Sequence, residues 1–113
     1  MPEEHSNRSS VELSVVVPLY NEDESLGELT DKINEALSDT TSFEIIFVDD
    51  GSSDRSWQEI QKQSQRHGNV SGIRLQRNYG KSSALQAGFE KAEGDYIATI
   101  DADLQDDPFE IPR

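Results

Sequence analysis

The apolar residues of this chain alternate between short dense runs and helically spaced stripes. Leu13 to Leu19 is almost continuously apolar and rich in β-branched side chains, the pattern of a strand buried on both faces. Pro18 lacks a backbone donor and ends its ladder. Over residues 23–38 the period changes to that of a helix, with Leu26, Leu29, Ile33, Ala36 and Leu37 on one stripe and Asp23 or Ser25 placed to cap it. Phe43 to Val48 predicts a second buried strand, stopped by Asp49, Asp50 and Gly51. Ser52, Ser53 and Asp54 are cap residues for a helix over about Arg55 to Arg66, with Trp57 and Ile60 facing inward. Gly68 and Asn69 break the pattern, and Val70 to Leu75 reads as a third, more polar strand. A small-residue helix over 82–92 carries Ala84, Leu85, Ala87, Gly88 and Phe89 and ends at Gly94. Tyr96 to Ile100 predicts a fourth buried strand, and Pro108 to Ile111 the start of another helix. Residues 1–10 are polar and read as a disordered leader, which leaves 11–113 as one domain.

Strands and helices that alternate in this way predict an α/β fold, a Rossmann-like parallel sheet with helices on both faces. In open sheets of this kind ligands bind outside the carboxyl ends of the strands. Three of the four predicted strands end in polar or acidic residues: Asn21 and Glu22, Asp49 and Asp50, Asp101 and Asp103. Parallel strands would bring all of these to one edge.

Composition narrows the functional classes. A net charge of −13, from 23 acidic and 10 basic residues, argues against non-specific binding to nucleic acid or an anionic membrane. The absence of cysteine excludes disulfides, thiolate metal sites and cysteine nucleophiles. His5 and His67 have no metal-ligand spacing and read as surface residues. No apolar run approaches the ~20 residues that span a bilayer, and the leader has no hydrophobic signal core. The expectation is a soluble, cytoplasmic domain.

The sharpest chemistry lies at the fourth strand's end. Asp101 and Asp103 are spaced so that both carboxylates can enter one space, where they repel unless a cation lies between them. Mg²⁺ and Mn²⁺ take such oxygen ligands and share a substrate's phosphates. An acidic pair by itself is more often a solvated turn. Tyr20 offers a ring for stacking or a core aromatic, and Asp50 an acceptor for base or ribose or a helix cap. Gly51 lets the chain turn close to a ligand. Arg77 to Lys81 is the compact basic cluster of an acidic chain. A phosphate-loop reading fails there because Leu75 stands where glycine is required. Lys81 suits either an anion at the next helix start or an ion pair with a carboxylate.

Taken together, Val15 to Glu22, Phe47 to Asp54, Arg77 to Lys81 and Asp101 to Gln105 resemble the family 2 glycosyltransferases, in the branch of polyprenyl-phosphate sugar transferases. The resemblance runs from about Glu12 to Pro112. It implies the amino-terminal half of a GT-A fold, which binds a nucleotide-diphosphate sugar with a divalent cation. On that basis Pro18, Tyr20, Glu22, Val48 and Asp50 line the nucleoside pocket, Asp101 and Ala102 contact the nucleotide, and Asp103 and Gln105 hold Mn²⁺ or Mg²⁺. The implied acceptor is a lipid phosphate. Family members continue well past Arg113, so the acceptor site and any catalytic base are expected there, in keeping with a fragment. Such a piece would expose apolar surface and self-associate. Two other readings remain. One is a donor-binding or regulatory module without transfer. The other is a receiver-like Mg²⁺-binding signalling domain, which Asn21 and Glu22 disfavour because paired acids belong at that position.

Overall fold

The computed structural model describes residues 11–102. Leu13–Leu19 forms β1, Leu26–Leu37 α1, Phe43–Asp49 β2, Ser56–Arg66 α2, Val70–Arg74 β3, Lys81–Lys91 α3 and Tyr96–Thr99 β4. The element order is the expected one. The expected leader and the helix from Pro108 lie outside the described residues.

The strands form one sheet in the order β3-β2-β1-β4 with every pair parallel. β1 is flanked by β2, with Leu13 opposite Phe43, and by β4, with Leu13 opposite Tyr96. This order separates the fold from a receiver, whose first strand lies between its second and third. The chain reverses its direction of growth beside β1, so the crevice between β1 and β4 is the topological switch point.

Alternation along β1 and β2 divides the core. Val15, Val17, Leu19, Ile45 and Phe47 pack under Leu26, Leu29, Ile33 and Leu37 of α1 and Ile60 of α2. Val16, Ile46 and Val48 pack under Ala84 of α3 on the other face. Each such side chain, taken from water to full burial, contributes roughly 1.5–3 kcal/mol. The small residues of α3 set its approach: a Cβ on Gly88 would lie 2.4 Å from Val16 Cγ1. At the opposite end of the sheet from the strand-end acids, Ser14 Oγ donates to Glu44 Oε2 at 2.6 Å and accepts the Gly94 N–H at 2.8 Å, fixing the entry into β4.

β4 departs from expectation. It stops at Thr99, and it is an edge strand with Tyr96 74 % and Ile97 45 % exposed rather than a buried one. Only β1 pairs with it among the described residues, so its apolar side chains lack the cover that β1 and β2 have on both flanks.

Candidate functional site

The loops after β1 and β2 are knitted together. Asn21 adopts a left-handed backbone, φ 57°. Its N–H donates to Ser52 Oγ at 2.8 Å, and its Oδ1 accepts the Ser53 N–H at 2.9 Å. The Glu22 N–H donates to Ser56 Oγ at 2.9 Å, and the Arg55 N–H to Asp23 Oδ2 at 3.2 Å. Ser52 and Asp23, both expected to cap helices, therefore serve the neighbouring loop. Neither Ser25 before α1 nor Arg55 before α2 makes a side-chain cap bond, while Asp54 Oδ1 takes the Ser56 N–H at 2.8 Å. Partial burial works to raise the Asp54 carboxyl, but hydrogen bonds from Ser56 and Asp23 outweigh it and hold the group below the ordinary value of 3.8.

The segment after β3 closes onto this platform. Asp50, 5 % exposed, accepts the Tyr79 N–H at 2.8 Å on one oxygen and the Gly80 N–H at 3.0 Å on the other. Gly51, at φ 77°, lies so close to this segment that an added Cβ would sit 2.3 Å from the Arg77 carbonyl carbon. The glycine expected to admit a ligand thus admits the chain's own backbone. Arg77 rests over the Tyr79 ring, 5.1 Å from its centre. Lys81 Nζ meets Asp101 Oδ1 at 2.9 Å, the ion-pair alternative for that lysine.

These loops enclose a cleft of about 340 Å³ over the carboxyl ends of β1, β2 and β4. Pro18, Tyr20, Glu22, Asp50, Asp101 and Ala102, all expected at the site, line it. Tyr20 is 46 % exposed, which leaves its ring open for stacking. Val48 is not at the lining: it is fully buried under α3, because it precedes the strand end and faces the core. Asp103 and Gln105 lie outside the described residues. Asn78 and Gly80 also line the cleft. The sequence marks their segment as basic but offers no means of seating it, since its position depends on the Asp50 bonds. Among the described residues no group of three or more His, Cys, Asp or Glu side chains could hold a metal ion. The donors at the cleft mouth are hard carboxylate oxygens, the type that suits Mg²⁺ or Mn²⁺.

The sequence profile described as Glycosyl transferase family 2 matches residues 14–113. The chain belongs to glycosyl transferase family 2. A curated relative from Edwardsiella ictaluri, named undecaprenyl-phosphate 4-deoxy-4-formamido-L-arabinose transferase, is 48 % identical over 103 residues, covering 89 % of this chain and 32 % of the relative. The chain thus spans about a third of the length of the curated relatives it matches. Among solved structures, S. aureus TarS in complex with UDP superposes with a TM-score of 0.73 at 29 % identity, over 82 % of this chain and 28 % of that one. The mannosyltransferase PcManGT from Pyrobaculum calidifontis, in complex with GDP-Man and Mn²⁺, gives 0.74 at 26 % identity, over 81 % and 27 %. The sheet of this family 2 member is that of GT-A glycosyltransferase domains.

Proposed function

We propose that the cleft binds the nucleotide of a UDP- or GDP-sugar and that the protein transfers the sugar to a polyprenyl phosphate. The observation that carries this is the meeting of Pro18, Tyr20, Glu22, Asp50, Asp101 and Ala102 around one cleft at the switch point. The Tyr20 ring offers a face for a base. Asp50 holds two loop amides yet keeps acceptor capacity for a base or ribose donor, since a carboxylate accepts at about four positions. Residues 11–113 form the nucleotide-sugar-binding part on this reading. The names of the curated relatives support the acceptor class.

A divalent cation, Mn²⁺ or Mg²⁺, belongs to the same proposal. Asp103 and Gln105 would hold it beside Asp101, and when bound it supplies positive charge opposite a diphosphate. The acceptor oxygen forms its bond to the anomeric carbon as the sugar–diphosphate bond breaks, and the electron pair leaves with the nucleoside diphosphate. No described helix is long and apolar enough to cross a membrane. The polyprenyl acceptor is itself a membrane lipid, which places the working protein at a membrane face, the cytoplasmic one on this proposal.

Calorimetric titration with UDP and GDP, with and without Mn²⁺, tests the reading beside an Asp103→Ala variant. Binding of one nucleotide that strengthens with Mn²⁺ and is lost in the variant is the expected result. A folded chain that binds neither nucleotide under any of these conditions would remove the proposal.

A further inference from the structure

We infer that Asn21 is a positioning residue of the nucleoside pocket, holding the wall that carries Tyr20 and Glu22 at a fixed distance from Asp50. The inference rests on the nucleotide-binding reading above and extends it to a residue that does not line the cleft. Asn21 is the one non-glycine residue with positive φ among those described. Asparagine tolerates that conformation better than most side chains. Tyr20 and Glu22, on either side of it, both line the cleft. Asn21 instead turns to the second loop, where its Oδ1 accepts the Ser53 N–H at 2.9 Å, the Asp54 N–H at 3.3 Å and the Ser53 hydroxyl at 3.4 Å.

A helix cap does not account for this. The donors Ser53 and Asp54 precede α2, which starts at Ser56, and Asn21 lies well before α1 at Leu26. What the bonds do is join two strand ends. Fully buried Asp49 holds the Ser52 N–H at 2.8 Å, and Ser52 Oγ accepts the Asn21 N–H at 2.8 Å. The path runs from β2 to β1 and returns through Ser53 and Asp54. A ligand gripped from both strand ends binds more tightly when their spacing is set before it arrives, because less ordering is left to be done on binding.

The test titrates this chain, Asn21→Gly and Asn21→Asp with UDP and GDP. Glycine keeps the left-handed backbone and removes the acceptor; aspartate keeps both. Uridine and guanosine, which are neutral, are titrated in parallel so that the charge of aspartate does not decide the outcome. Asn21→Gly is expected to weaken binding about tenfold while the chain stays fully folded at the titration temperature, and aspartate to restore most of the loss for the nucleosides. Amide resonances of Ser53 and Asp54 should shift in the glycine variant. Equal binding by Asn21→Gly, or a loss that aspartate does not restore, would overturn the inference and leave the nucleotide reading intact. Failure of the parent chain to bind either nucleotide would overturn both.

Discussion

Gly51→Ala is the substitution on which the architecture makes its firmest claim. The methyl group would lie 2.3 Å from the Arg77 carbonyl carbon, 2.4 Å from the Asn78 nitrogen and 2.6 Å from Arg77 Cα, all backbone atoms with no rotamer to yield. The φ of 77° adds the left-handed penalty. That penalty is roughly 1–2 kcal/mol and overpacking adds roughly 1–3, so about 2–5 kcal/mol is expected from a domain stability of about 5–15. The alternative is for the 77–80 segment to lift away. Asp50 would then lose the Tyr79 and Gly80 amides, and hydrogen bonds to a charged group are worth about 1.5–3 kcal/mol each. Both routes are costly. Urea unfolding followed by far-ultraviolet circular dichroism and Trp57 fluorescence gives the number. Gly68→Ala is the control, since nothing lies within 4 Å of the point its Cβ would occupy and its backbone is not left-handed; it should be neutral or stabilise by up to about 1 kcal/mol. A Gly51→Ala midpoint matching that of Gly68→Ala would refute the close approach of the two loops.

Asp50→Ala should speed hydrogen exchange at the Tyr79 and Gly80 amides and weaken nucleotide binding at least tenfold, about 1.4 kcal/mol; native exchange at both amides would count against the bonding described. Lys81→Ala should change stability by less than about 1 kcal/mol, because its pair with Asp101 is well exposed, and raised salt should erase the difference in denaturation. Asp54 has a depressed folded value, so its contribution is present above its ordinary 3.8 and is lost as pH falls through the lower folded value. An Asp54→Asn variant should therefore show a small, flatter response in acid unfolding between those values, and an unchanged curve would reject the assignment. Sedimentation velocity should show concentration-dependent association through the exposed edge strand β4, where Tyr96 and Ile97 are 74 % and 45 % exposed; a concentration-independent monomer would dismiss it.

Much of this was legible from local pattern. The dense run at Val15 to Val17 and the stripe Leu26, Leu29, Ile33 could satisfy their hydrophobicity in few other ways, and the parallel order carried the acids to one end. The burial of β4 was not legible, because Tyr96 to Ile100 is apolar in either setting and only the sheet order reveals an edge. Val48 shares the sheet face of Asp50 but lies inside β2, where α3 covers it, while Asp50 follows the strand end and reaches the cleft. Two expected helix caps were misjudged for a different reason: Ser52 and Asp23 accept from residues about thirty positions away, and no local rule reports such partners. Asn78 and Gly80 were legible only as part of a basic segment, because its seat against the cleft is built by Asp50 at the end of the neighbouring strand.

The pairing of β4 with β1 has a consequence for synthesis. Leu13 must wait for Tyr96 before its second edge is closed, whereas its pairing with Phe43 becomes available much sooner. A nascent chain emerging amino end first can assemble β1, β2 and β3 while one edge of its most apolar strand stays bare. That interval is when a ribosome-associated chaperone would be most useful. It is also when a neighbouring copy's Tyr96–Thr99 could settle into the vacant edge and exchange strands.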